Sequence, residues 1–91
     1  MRSDQVHRAI LDINPNIPFR DLSQYLFRLG FHLRIKGSHH IFSRPGIPEI
    51  INLQPKGKLS KRYQVKQVRR IIIKHNLFIR PRKTGGTSSE L

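Results

Sequence analysis

Two of the five histidines stand side by side, His39 and His40, directly after Gly37-Ser38. An imidazole exchanges its proton near neutral pH, so it can act as a general base or a general acid where a substrate reaches it. Which of the pair is reachable depends on the strand register. Ile35 and Lys36 end one short apolar, extended run, and His39 to Phe42 begin another. Glycine first in a two-residue connection favours a type II′ hairpin turn, because that position needs positive φ. With Gly37 and Ser38 as the loop, Lys36 faces His39, Ile35 faces His40, Arg34 faces Ile41 and Leu33 faces Phe42. Alternation then collects Leu33, Ile35, His40 and Phe42 on one face, and His32, Arg34, Lys36, His39 and Ile41 on the other. The apolar face meets the core. His39 stands on the open basic face beside Lys36, and His40 is a half-buried structural residue. A loop of another length would exchange the two roles.

What an exposed imidazole could act on follows from charge. Lys plus Arg number 18 and Asp plus Glu 5, a formal charge of +13, and residues 54–83 contain no acid. Such a balance points to a polyanion, nucleic acid first; a ribosome-bound or merely soluble basic protein is the alternative. RNA carries its own nucleophile in the 2′-hydroxyl. A small ribonuclease need only remove that proton, stabilise the phosphorane charge and protonate the leaving oxygen. His39 could do either proton job, and Lys36 across the hairpin would favour the neutral base and pair with a phosphate oxygen. The plainer reading is a surface histidine that binds phosphate or nothing. The candidate RNA contacts are Arg34, Lys36, Lys56, Lys58, Arg69 and Arg70.

Other chemistries find little support. Adjacent strand residues point to opposite faces, so His39 and His40 do not chelate one ion. No His-x-His or His-x-x-x-His occurs, and cysteine is absent, so no metal site is expected. There is no Walker A loop, no GxGxxG and no carboxylate pair, so no nucleotide cofactor is expected. No apolar run approaches the length of a membrane span, and the first residues lack a signal peptide's apolar core; a cytoplasmic protein is expected.

The elements that must hold the hairpin are legible in outline. Val6, Ala9, Ile10 and Ile13 have helical spacing, with Ser3 as a cap and Asn14-Pro15 as a stop. Leu22, Tyr25, Leu26 and Leu29 predict a helix over residues 19–29, ended by Gly30. Strands are expected over 31–36, 39–43 and 49–53. Residues 44–48 form a turn, its two prolines excluding a continuing strand. Val65, Val68, Ile71, Ile72 and His75 predict a last helix over 62–74, with Ser60 as a cap. Residues 80–91 read as a basic, disordered tail. The order (α)-α-β-β-β-α predicts an α+β domain: a three-stranded antiparallel sheet with helices on one face. The boundaries are an extension over 1–17, a domain over 18–79 and the tail.

With those pieces in place the chain resembles the HicA (YcfA-like) toxin family. The resemblance rests on Asp21-Leu22, Leu29-Gly30-Phe31, the run Arg34 to Phe42, then Glu49-Ile50-Ile51-Asn52-Leu53-Gln54-Pro55 and Tyr63-Gln64-Val65-Lys66-Gln67-Val68-Arg69. It implies a fold like the double-stranded-RNA-binding domain. It also implies the toxin of a toxin–antitoxin system, an mRNA interferase that cleaves mRNA without a metal and is neutralised by a HicB-type antitoxin. The family's functional histidine follows Gly-Ser, which carries over to His39. Residues 1–17 and the basic tail depart from the family's compact form. A non-catalytic RNA-binding module of the same shape is the competing expectation. A DNA-binding regulator is weaker, because three strands separate the two good helices.

Overall fold

The computed structural model describes residues 1–79; the expected tail over 80–91 lies outside the described residues. The elements are α1 (Ser3–Leu11), α2 (Phe19–Arg28), β1 (His32–Lys36), β2 (His39–Arg44), β3 (Ile47–Leu53) and α3 (Arg62–Lys74). The strands form one antiparallel sheet in the order β1-β2-β3. Phe42, Ile51 and Leu53 from one face of that sheet join a single core with Leu22, Tyr25 and Leu26 of α2 and Val65, Val68, Ile71 and Ile72 of α3. Phe27 of α2 lies over Phe42, with ring centroids 5.7 Å apart. Val6, Ala9 and Ile10 of α1, and Ile17 after it, belong to the same core.

All three helices end in one way. The N–H two residues past the cap returns to the third-last carbonyl, Asn14 to Ala9, Phe31 to Leu26 and Leu77 to Ile72, each at 2.9–3.0 Å. This Schellman geometry needs a left-handed residue after the cap. Gly30 (φ 93°) and Asn76 (φ 52°) suit it, whereas Ile13 (φ 52°) is a β-branched residue held there by packing against the core. The starts of α2 and α3 fall at Phe19 and Arg62, as expected, but the capping residues of α1 and α3 differ from expectation. The N-caps are Arg2 and Lys61, one residue off the expected Ser3 and Ser60. In both, a glutamine at the third helical position accepts from the cap's own N–H, Gln5 at 2.8 Å and Gln64 at 2.9 Å. That is the return half of a capping box, made without a serine. Ser3 Oγ instead accepts from Arg28 at 2.6 Å.

The expected turn over 44–48 is shorter than foreseen. Arg44 pairs with Ile47, so Pro45-Gly46 alone make the turn, with Gly46 at φ 88° and Pro48 inside β3. Pro at the second and Gly at the third position is the type II pattern. Pro48 is tolerated because β3 is an edge strand, where a missing N–H breaks no ladder bond. A register shift follows between Phe42 and Arg44.

Candidate active site

The hairpin has the register that the Gly-Ser loop requires: Lys36 opposite His39, Ile35 opposite His40, Arg34 opposite Ile41, Leu33 opposite Phe42. Gly37 has φ 61°, while Ser38 is not left-handed, as a type II′ turn demands. Ser38 Oγ accepts from Gln54 Nε2 at 2.9 Å, which fixes the turn to the far end of β3.

His39 is exposed and His40 half-buried. Phe19 meets the His40 ring edge-on at 5.4 Å, and His40 Nδ1 is buried with no hydrogen-bond partner among the described residues. The apolar wall expected around His40 is incomplete. Ile35 has the parity of the core face yet stays 57% exposed.

His39 Nδ1 lies 3.0 Å from Asn52 Oδ1. A carboxamide oxygen can only accept, so Nδ1 carries a proton, and in the neutral ring Nε2 keeps its lone pair. Nε2 makes no hydrogen bond among the described residues, and the ring is open to solvent. This is the tautomer a general base needs. Asn52 is itself held. Its N–H donates to Gln67 Oε1 at 2.9 Å, and its carbonyl accepts from Gln67 Nε2 at 3.3 Å. One turn earlier, the buried Gln64 donates to the Gln54 carbonyl at 2.8 Å. Two glutamines of α3 therefore grip the outer edge of β3 and set the position of Asn52 relative to His39.

The open face carries His32, Arg34, Lys36, His39, Ile41, Ile50 and Asn52, and no acid. Glu49, on β3, has the parity of Ile51 and Leu53. Lys74 Nζ at 2.5 Å and His75 Nε2 at 2.7 Å draw it to α3. The Lys74 bond first, then that of His75, holds its carboxyl down at about 2. The negative charge nearest the sheet is thus neutralised at the helix and leaves the His39 face purely cationic.

The expected RNA contacts separate into groups. Arg34 and Lys36 share the His39 face. Lys56 and Lys58 line a groove beside Pro15, Asn16 and Arg62. Arg69 and Arg70 line another with Ile13, Lys66 and Ile73, and Arg69 Nε donates to the Leu11 carbonyl at 3.0 Å, closing the end of α1. Among the described residues no three His, Asp or Glu side chains gather as a metal site would require, and no helix is long and apolar enough to cross a membrane.

Sequence reasoning missed Asn52 and Gln67. Alternation put Asn52 on the open face. Its approach to His39 depends on the β2–β3 register, which the shift near Arg44 hides. Comparison with protein-family models, curated proteins and solved structures returns no match.

Proposed function

We propose that this chain is a metal-independent endoribonuclease of the HicA-like kind, with a fold like the double-stranded-RNA-binding domain. In this reading it acts in the cytoplasm as the mRNA-cleaving toxin of a toxin–antitoxin pair and is held inactive by a HicB-type antitoxin. One observation carries the reading: His39, on an acid-free sheet face, is fixed by Asn52 in the tautomer that leaves Nε2 free to accept a proton. RNA laid across that face would bring a 2′-hydroxyl to Nε2. The 2′ oxygen bonds to phosphorus as its proton passes to His39, the bond from phosphorus to the 5′ oxygen breaks, and that oxygen takes a proton from solvent. Lys36, opposite His39, supplies positive charge for the phosphorane oxygens. The products are a 2′,3′-cyclic phosphate and a 5′-hydroxyl.

The test incubates the purified chain with a defined RNA in chelator and identifies the new ends. Cyclic phosphate ends, absent with His39→Ala, support the reading. RNA that is bound but never cut would leave a binding module of the same shape.

A further inference from the structure

A second histidine, far along the chain from the hairpin, is held at Nδ1 by a hydroxyl instead of a carboxamide. His7 of α1 is half-buried, and its Nδ1 is hydrogen-bonded to the hydroxyl of Tyr25 on α2. The Tyr25 ring is buried, and burial pushes its phenol far above the ordinary range. The phenol therefore stays protonated and can donate to Nδ1 or accept from it; an anion at Nε2 selects the arrangement in which the phenol donates and Nε2 carries the proton. His7 can thus offer an N–H to an anion while Tyr25 holds the other ring nitrogen.

His7 and Tyr25 line the largest groove among those described, about 950 Å³, between α1, α2 and the segment ending at Ile79. That volume suits a small organic ligand. Four arginines line it. Arg28 is engaged by Ser3 and Arg2 by Asp4, while Asp21 faces the terminal amine at 3.5 Å. Arg8 and Arg20 have no ion pair or side-chain hydrogen bond among the described residues. Two uncommitted guanidinium groups on facing helices, with a neutral N–H donor in the wall, form a set that receives a phosphate. On the rim Phe78 is 57% exposed and offers a flat apolar face on which a base can stack.

We propose that the α1–α2 groove binds a nucleoside monophosphate unit, its phosphate held by Arg8, Arg20 and His7 and its base laid on Phe78. The unit is either a free nucleotide or the 5′-phosphorylated end of an RNA; the chemistry recognised is the same. The proposal does not rest on catalysis by His39, and its test reads binding alone.

The experiment titrates the full chain with adenosine monophosphate, followed by two-dimensional amide NMR and calorimetry at low salt. Parallel arms use adenosine, ribose 5-phosphate, and a short RNA with and without a 5′ phosphate. Saturable shifts confined to α1, α2 and Phe78, with adenosine and ribose 5-phosphate each at least about 10-fold weaker, are expected. The 5′-phosphorylated RNA binding more tightly than both its 5′-hydroxyl twin and the free nucleotide would assign the site to RNA ends. The reverse order would assign it to free nucleotides. Arg8→Gln with Arg20→Gln should weaken binding about 10-fold or more. Phe78→Ala, at an exposed position that does not threaten folding, should remove the preference for the nucleotide over ribose 5-phosphate. Shifts centred on the hairpin, or an affinity unchanged in the arginine double variant, overturn the proposal.

Discussion

Asn52→Asp tests the proton arrangement at His39 most directly. The substitution keeps the shape of the side chain and its acceptor 3.0 Å from Nδ1, but adds a full negative charge. At that separation, in a site open to solvent, attraction to the imidazolium is about 1.4 kcal/mol, equivalent to about one pH unit. The charge favours the protonated ring, so more alkaline conditions are needed to free the base. The acidic limb of the pH profile of kcat/KM for RNA cleavage should therefore move up by about one unit, with the plateau kept within a few-fold. Concentrated salt should shrink the shift, because an exposed pair is screened. Asn52→Leu, which cannot accept, should lower the plateau on the order of 10-fold by freeing the ring to rotate and change tautomer. Nitrogen-15 NMR of the imidazole checks the tautomer independently. If the limb does not move at low salt in a folded variant, the group that titrates in catalysis is not His39.

The neighbouring histidine should behave as a packing residue. His40→Ala should lose about 1–2 kcal/mol in a denaturant melt, whereas His40→Phe should be neutral or stabilising, since it keeps the edge-on contact with Phe19 and removes a buried nitrogen that has no partner. Gly37→Ala should cost about 1–2 kcal/mol in the same assay; no atom lies within 4 Å of the added methyl, so the whole penalty is conformational. Glu49, with a carboxyl held near 2 against an ordinary value of 4.5, contributes stability that is present above about pH 4.5 and is lost as pH falls towards 2. Glu49→Gln should therefore flatten the fall in melting temperature across that window, and an unchanged slope would show that the contacts with Lys74 and His75 do not form in solution.

The β1–β2 hairpin was legible to the residue because a two-residue Gly-Ser loop leaves one register open, and alternation does the rest. The α2 and α3 stripes were legible because their apolar positions repeat at helical spacing and Gly30 marks a stop. The capping residues of α1 and α3, not the helix starts, were misassigned, and for a physical reason. Ser3 and Ser60 look like caps, yet at both ends a glutamine inside the helix does the capping, and the residue it serves is an arginine or a lysine. Pro48 read as a strand breaker because nothing in the sequence says which strand lies at the sheet's edge. Asn52 escaped notice as a partner of His39 because the pairing of β2 with β3 passes through an irregularity, and cross-strand neighbours beyond such a point cannot be counted off from the turn.

Gln67 presents its carboxamide to the backbone of β3 as a neighbouring strand would present a peptide group, and Gln64 donates to the Gln54 carbonyl just past the strand. Among the described residues, the C-terminal end of the β3 margin is therefore occupied and the β1 margin is not. Fibrous stacking needs every subunit to be divalent, with a place to receive and a place to give. With one margin partly taken, stacking is hindered, and a second copy paired antiparallel about the middle of β1 would set Arg34 against Arg34. A cationic chain with exposed Ile35 and Ile50 thus carries a built-in obstacle to propagation, and its β1 margin, beside Arg34 and Lys36, favours an acidic visitor.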